Sequence, residues 1–325
     1  MAKFYYQRDG NLRYLTKKTV AVIGYGNQGR AHALNLRDSG VDVLVGQRKG
    51  TGWRHAVRDG FKPVSIREAA GRGDVVALML PDEVMADVYT KRIEPGIEPG
   101  DVLAFCHGFN VHFSLIEPPD DVDVIMIAPK GPGRHVRSEY VAGSGLAGLV
   151  AVHQDASGTA LKIALAYAKA IGCLRRCCIE TTFAEECEAD LFGEQVVLCG
   201  GVSALIKAAF DALVKAGTQP EIAYFEVMHE LSLIVELLAE GGLTHMRRRI
   251  SNTAAYGDLT RGPRMIGGAA RQEMKKILAE IRSGAFAKEW IRETHRGGRK
   301  FKALEKQDET LLLEKVGRKL RTLMK

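Results

Sequence analysis

The chain has 325 residues, 46% of them hydrophobic and 26% charged, which is enough for two substantial cores and excludes an intrinsically disordered protein. Six cysteines without an export-type leader read as reduced thiols, so a disulfide framework is excluded and a cytoplasmic setting is expected. The net charge of +7 gathers in Met246-Arg247-Arg248-Arg249 and in the tail from residue 296 onward. No zinc finger, RNP-type aromatic strand or basic zipper accompanies it, so it reads as solvated surface rather than a nucleic-acid face, and no apolar run reads as a membrane span.

In chain order, Thr19-Val20-Ala21-Val22-Ile23 is a β-branched apolar run followed at once by Gly24-Tyr25-Gly26-Asn27-Gln28-Gly29. Ala31, Ala33, Leu34 and Leu36 then carry a helix to a stop at Arg37-Asp38-Ser39-Gly40. Strand, G-x-G-x-x-G and helix in that order form a dinucleotide-binding arrangement. Its first two glycines allow a tight turn close to a pyrophosphate, and the third lets helix pack on strand. Asp42-Val43-Leu44-Val45-Gly46 is the second strand, whose end meets the adenosine ribose. An acid there suits a 2′-hydroxyl and a base a 2′-phosphate; Gln47-Arg48-Lys49-Gly50-Thr51-Gly52-Trp53-Arg54 holds no acid, so NADPH is the first expectation.

Further strands are expected at 74–80, 102–105, 122–127, 146–152 and 174–179, with helices over 82–91 and 159–171. Short hydrophobic strands with helical crossovers predict an α/β fold, a Rossmann-type doubly wound parallel sheet over residues 1–180. Ligands bind such sheets at the carboxyl ends of the strands, where the glycine loop, Cys106-His107-Gly108 and Lys130-Gly131-Pro132-Gly133 all fall. His107 is thereby placed for chemistry, although a lone histidine is more often a surface or satisfied core residue. Lys130, beside the same crevice, is suited to pair with a substrate oxygen or a carboxylate.

After Thr181 strand signals cease, and residues 181–325 read as an all-α domain with helices over 183–200, 202–215, 220–240, 243–254 and 268–283. Within Glu188-Ala189-Asp190-Leu191-Phe192-Gly193-Glu194-Gln195, Asp190 and Glu194 share one helix face; Glu226 and Glu230 repeat the device. Two such carboxylate pairs make an all-oxygen site suited to Mg²⁺. The plainer alternative is two solvated acidic faces, which the apolar neighbours Leu191, Phe192, Phe225, Leu231 and Leu233 disfavour. The 220–240 helix is apolar round much of its circumference, which points to deep burial in this domain or in a subunit interface. His229-Glu230 lacks a second histidine at 233 and is no zinc-protease motif. Ser251, in Ile250-Ser251-Asn252-Thr253-Ala254, reads from spacing alone as a turn or cap.

Together the glycine loop, Cys106-His107-Gly108-Phe109-Asn110, Ala128-Pro129-Lys130-Gly131-Pro132-Gly133, the two acidic motifs and Ile250-Ser251-Asn252-Thr253-Ala254 resemble the ketol-acid reductoisomerases (acetohydroxyacid isomeroreductases) of the short, class I form. The resemblance runs from about Tyr5 to Leu313. It implies Mg²⁺-dependent alkyl migration in 2-acetolactate or 2-aceto-2-hydroxybutyrate, then NAD(P)H reduction to the 2,3-dihydroxy acid, in valine and isoleucine biosynthesis. It also implies a knotted helical domain and a homodimer at least, with no nucleic-acid or membrane partner. His107, Lys130 and Glu230 are expected to be catalytic. Two Mg²⁺ ions are expected on Asp190, Glu194, Glu226 and Glu230, the last two from the partner chain. Ser251, also from the partner, with Ile250 and Ala254, is expected at the substrate. The cofactor set is Gly24, Tyr25, Gly26, Asn27, Gln28, Gly29, Arg48, Thr51, Leu80, Pro81, Asp82, Glu83 and Gly133.

The chain departs from the NADPH-using pattern of that family, in which an arginine and two hydroxyl residues follow the second strand. Arg48 and Thr51 match the arginine and the first hydroxyl, but Gly52 directly precedes Trp53 and the loop reads one residue short. A relaxed enzyme leaning to NADH is therefore expected. Rival readings are a β-hydroxyacid-type dehydrogenase, which would work in EDTA, and a nucleotide- or nucleic-acid-binding regulator without turnover.

Overall fold

The computed structural model describes residues 2–324, which divide into two compact units between Cys187 and Glu188. In the first unit eight strands build one sheet: β1 (Phe4–Tyr5), β2 (Thr19–Ile23), β3 (Asp42–Gly46), β4 (Val75–Leu78), β5 (Val102–Phe105), β6 (Asp123–Pro129), β7 (Gly148–Gln154) and β8 (Cys178–Glu180). Their order is β1-β8-β7-β6-β5-β4-β2-β3. Neighbours from β3 to β6 are parallel. The parallel run ends there. β7 is antiparallel to β6, with Gly148 opposite Pro129, so the chain doubles back beyond the carboxyl end of β6 instead of crossing over. β8 then lies parallel to β7, and the short β1 closes the edge antiparallel to β8.

Helices α1 (Asn27–Asp38), α2 (Thr51–Arg58), α3 (Ile66–Ala70), α4 (Asp82–Val88), α5 (Phe109–His112), α6 (Gly133–Val141) and α7 (Ala160–Ala170) complete this unit. Every residue of β4, β5 and β6 is buried, which is why these strands read as unbroken apolar runs rather than alternating ones. On one face Ala33 and Leu36 of α1 and Ala164 and Tyr167 of α7 pack on Val20, Val22, Ala77 and Ala104. On the other, Ala69 of α3 and Met85 of α4 pack on Ala21, Ile23, Leu78 and Phe105. Each large side chain so buried contributes about 1.5–3 kcal/mol. Because β3 and β4 flank β2 on opposite sides, a crevice opens beyond the carboxyl ends of β2 and β4. The strand expected from residue 174 begins only at Cys178. Gly172, at φ 92°, stops α7, and Cys173–Arg175 form a 3₁₀ turn before the chain extends.

The second unit is helical. α8 (Phe183–Gly193) carries the chain across the division, and α9 (Gly200–Lys215), α10 (Pro220–Tyr224), α11 (Leu231–Arg249), α12 (Asn252–Met265) and α13 (Gly268–Arg282) follow. α14 (Ala285–His295) leads into α15 (Arg299–Glu309) and α16 (Leu312–Leu323), which occupy what the sequence presents as a basic tail. α16 is not tail-like: Leu313, Val316 and Leu320 form the unit's core with Phe210, Ala223 and Tyr224.

Two helix joints differ from expectation. α8 runs into α9 through one widened turn, Glu194–Leu198, closed by the Cys199 amide donating to the Glu194 carbonyl at 3.0 Å. A second widened turn, Phe225–His229, joins α10 to α11, with the Glu230 amide on the Phe225 carbonyl at 3.0 Å. The helix expected over 243–254 does not exist as such. α11 bends at Gly241 and Gly242 and ends at Arg249; Ile250 is extended, and Ser251 starts a new helix. Nor is the 220–240 stretch deeply buried within this chain, for Ile222, Leu233 and Val235 are half exposed. The helical run Phe183–Lys215 has the length and mean hydropathy, 1.8 over its most apolar window, of a membrane span, with 6% of that window buried.

Candidate active site

The crevice beyond β2 and β4 opens into a cleft of about 1350 Å³ in the first unit. Gly24, Tyr25, Gly26 and Asn27 line it, as do Leu80, Pro81 and Glu83 after β4 and Gly133 at the start of α6. Gly24 has φ 98°, and a Cβ on Gly29 would stand 2.0 Å from the Gly24 carbonyl oxygen, so the turn requires glycine at both places. Gly26 caps α1 without a side chain, and a Cβ there would meet nothing within 4 Å. The helix N-terminus therefore presents its amides and its positive dipole end to open space, a cradle fitted to a pyrophosphate.

Gln28 and Gly29 serve this cleft from behind. Gln28 Nε2 donates to the Gly131 carbonyl at 3.0 Å, and a Cβ on Gly133 would lie 2.0 Å from the Asn27 carbonyl oxygen. Tyr25 is anchored through its hydroxyl to Asp59 at 2.9 Å, and Arg30 grips the same carboxylate at 2.6 and 2.9 Å. The Arg30 guanidinium holds Asp59 below the usual carboxylate range, while burial pushes the Tyr25 phenol up.

Arg48 and Thr51 line the cleft where the adenosine ribose is expected. Thr51 opens α2, and its hydroxyl accepts from Arg54 at 3.0 Å. A Cβ on Gly52 would come within 2.4 Å of Gln47 Nε2, and Gln47 Oε1 takes the Tyr25 amide at 3.3 Å. A serine at 52 would require the flexible amide end of Gln47 to move aside.

His107 follows β5, and its Nδ1 lies 2.9 Å from Asp82 Oδ2. Asp82, the first residue of α4, is not among the residues that line the cleft, although both its neighbours are. Asn110 on α5 donates to the Asp82 backbone oxygen at 3.2 Å and to Oδ1 at 3.4 Å. Burial pulls the His107 imidazole down, but the hydrogen bonds to Asp82 and Cys187 and the charge of Glu186 outweigh it and hold the ring's pKa above its ordinary value. Lys130, after β6, donates to Glu186 Oε1 at 2.8 Å, and Glu186 Oε2 takes the Gly108 amide at 2.9 Å.

Glu186, 2% exposed, is thus the residue that ties Lys130 to the loop of His107, and sequence reasoning passed over it. The signal was present in the helical spacing: Glu186, Asp190 and Glu194 recur every four residues on one helix face.

Asp190 is half-buried and Glu194 opens the first widened turn. Glu226 lies in the second widened turn and Glu230 immediately after it, both exposed. These four are hard carboxylate donors, the set that suits Mg²⁺ over Zn²⁺. Ser251 is the N-cap of α12, its Oγ accepting from the Ala254 amide at 3.1 Å, so it, Ile250 and Ala254 form one local structure. The chain accordingly groups the expected cofactor residues other than Gln28, Gly29 and Asp82 on one cleft, and His107, Lys130, Asp82 and Glu186 in one network. Asp190, Glu194, Glu226, Glu230 and Ser251 belong to the second unit.

Two family models cover the chain. Residues 14–177 match "Acetohydroxy acid isomeroreductase, NADPH-binding domain", and residues 183–325 match "Ketol-acid reductoisomerase, C-terminal domain". Among solved structures, an NADH-preferring ketol-acid reductoisomerase from an uncultured archean is 44% identical, with a TM-score of 0.96 over 99% of both chains. A semialdehyde dehydrogenase NAD-binding protein from Cupriavidus necator (19% identity, TM-score 0.63) covers 82% of this chain and 99% of its own. A pyrroline-5-carboxylate reductase from Coxiella burnetii (15%, 0.56) covers 83% and 98%. These last two share the fold alone.

Proposed function

The chain belongs to the ketol-acid reductoisomerase family, NAD(P)H-dependent oxidoreductases that also isomerise their substrate, and on that premise we propose how its residues divide the work. The substrate is 2-acetolactate or 2-aceto-2-hydroxybutyrate; an alkyl group migrates, the product is reduced to the 2,3-dihydroxy acid, and the step serves valine and isoleucine biosynthesis. When bound, two Mg²⁺ ions supply Lewis-acid polarisation and a template, and the nicotinamide supplies hydride. Asp190 and Glu194, with Glu226 and Glu230 from a second copy, would hold the ions.

The residues' own tasks follow from charge. Migration deprotonates a tertiary hydroxyl while negative charge moves to the neighbouring carbonyl oxygen, and reduction ends with a proton delivered to oxygen. Lys130, fixed by Glu186, sets a positive charge against that oxygen. His107 and Glu230 exchange protons, and Ser251 holds the substrate carboxylate. The observation that carries this reading is the buried Glu186 carboxylate joining Lys130 to the His107 loop, on a helix that continues turn by turn to Asp190 and Glu194.

Residues 1–180 form the nucleotide-binding domain and 181–325 the metal, substrate and dimerisation domain. A homodimer is the working unit. Its support is the apolar surface of Phe183–Lys215, which bears Glu185, Glu188, Asp190 and Glu194 toward one end and is better suited to a second copy than to lipid. The protein works in the cytoplasm and binds no nucleic acid. The short ribose loop, together with the NADH preference of the 44%-identical relative, supports relaxed cofactor use leaning to NADH.

The deciding assay is NADH and NADPH oxidation with acetolactate, with Mg²⁺ and with EDTA. Turnover with Mg²⁺ and none in EDTA is expected. Full activity in EDTA would make the carboxylates structural and favour a β-hydroxyacid-type dehydrogenase.

A further inference from the structure

We propose that Asp82 is a positioning residue for His107 and not a cofactor ligand, an inference that rests on His107 acting in the reaction just described. Sequence position alone puts Asp82 with the cofactor, between Pro81 and Glu83. The structure separates it from them: Pro81 and Glu83 line the nucleotide cleft, and the Asp82 carboxylate instead meets the His107 ring.

The geometry defines what Asp82 does. An ionised carboxylate can only accept, so at 2.9 Å His107 Nδ1 must carry the proton and donate it to Oδ2. That fixes both the plane of the ring and its tautomer, and gives Nε2 the work of exchanging protons. Asp82 is itself held. Asn110 donates to its backbone oxygen and to Oδ1, and Asp82 opens α4, where the helix dipole favours a negative charge. Asn110, fully buried on α5, is thus the second member of the relay: it chooses which carboxylate oxygen faces the histidine.

This arrangement makes Asp82→Asn more informative than a simple loss of charge. Asn110 donates toward the Oδ1 position, so the new amide turns its oxygen to Asn110 and its nitrogen to His107. A nitrogen donor facing Nδ1 stabilises the opposite tautomer, with the proton on Nε2. The ring stays in place with its proton on the wrong side.

The test uses the full-length enzyme with Mg²⁺, acetolactate and NADH, and compares wild type, Asp82→Asn, Asp82→Glu, His107→Gln and the double variant Asp82→Asn/His107→Gln. With Asp82→Asn, kcat is expected to fall about a hundredfold or more, the range of a misplaced proton-transfer group. The dissociation constant for NADH, read by nicotinamide fluorescence without substrate, stays within about twofold, since ligand contacts are unchanged. Asp82→Glu recovers part of kcat. In the His107→Gln background Asp82→Asn costs little more, because the two residues act as one unit. A loss of NADH affinity with kcat preserved at saturation would return Asp82 to the cofactor, and additive losses in the double variant would make its role merely structural. Should wild type itself not turn over acetolactate, the reading of function falls, while the NADH affinities still decide where Asp82 acts.

Discussion

His32 shows what one buried side chain imposes. It sits on α1 beneath the glycine loop, wholly inaccessible, with Nδ1 3.1 Å from the Tyr167 hydroxyl and no hydrogen-bond partner for Nε2 among the described residues. Burial pushes its pKa down to about 4. The unfolded chain takes up this proton near pH 6.5 and the folded chain only near 4, so between those values the unfolded state binds more protons and stability falls as pH falls. The loss is about 2 kcal/mol at pH 5 and approaches about 3 kcal/mol near pH 4. Urea titrations at pH 7 and pH 5 should show it, and in His32→Gln that slope should disappear; an unchanged slope would refute the assignment. Nothing in the sequence marked this histidine, because burial depends on α7, which lies far along the chain. His107 was legible because a strand end next to glycine is a local feature. For Glu186 only the helical spacing was legible; its partners were not, since Lys130 and Gly108 each follow a different strand.

At the scale of elements, the βα turns were read most faithfully. β2 and β3 stand where their β-branched runs end in glycine, since strand, turn and helix are all encoded within a few residues. The widened turns of the second unit escaped, because one extra residue inside a helix leaves the apolar periodicity on either side intact. The antiparallel entry of β7 escaped too, as a buried strand reads the same in either direction. The β3–α2 turn carries its own prediction. Arg48 is the one side chain there that combines fixed positive charge with a place on the cleft wall, Thr51 already receives Arg54, and Gly52 offers no hydroxyl. A charge-assisted bond is worth about 1.5–3 kcal/mol, so one arginine without a second hydroxyl gives limited selectivity. The ratio of kcat/KM for NADPH over NADH should stay below about a hundredfold, or 2.7 kcal/mol. A larger ratio would mean that Arg48 and its neighbours grip a 2′-phosphate more fully than this loop indicates.

For the whole molecule, the helical unit leaves apolar side chains exposed along α9, α11 and α12, among them Leu205, Leu233, Val235 and Leu259, and a second copy is the proposed cover. If the active site is shared, a Glu194→Gln chain mixed with a Glu230→Gln chain under conditions where subunits re-form should regain activity, though each alone is inactive. Random exchange in a two-fold dimer restores about a quarter of wild-type turnover, because half the dimers are mixed and each has one intact site. Heterodimers without activity would mean that each chain builds its own site. The glycine loop has a different reach. It leans on Gly131 and Gly133, with Gln28 bonded across a sequence separation of 103 residues. A nascent chain that has made the fingerprint has therefore not yet made the nucleotide pocket, which gains its far wall only after β6 is synthesised and laid down. Cofactor binding becomes a late checkpoint on sheet assembly, and the affinity of a bound nucleotide is spread as stability over strands that never touch it.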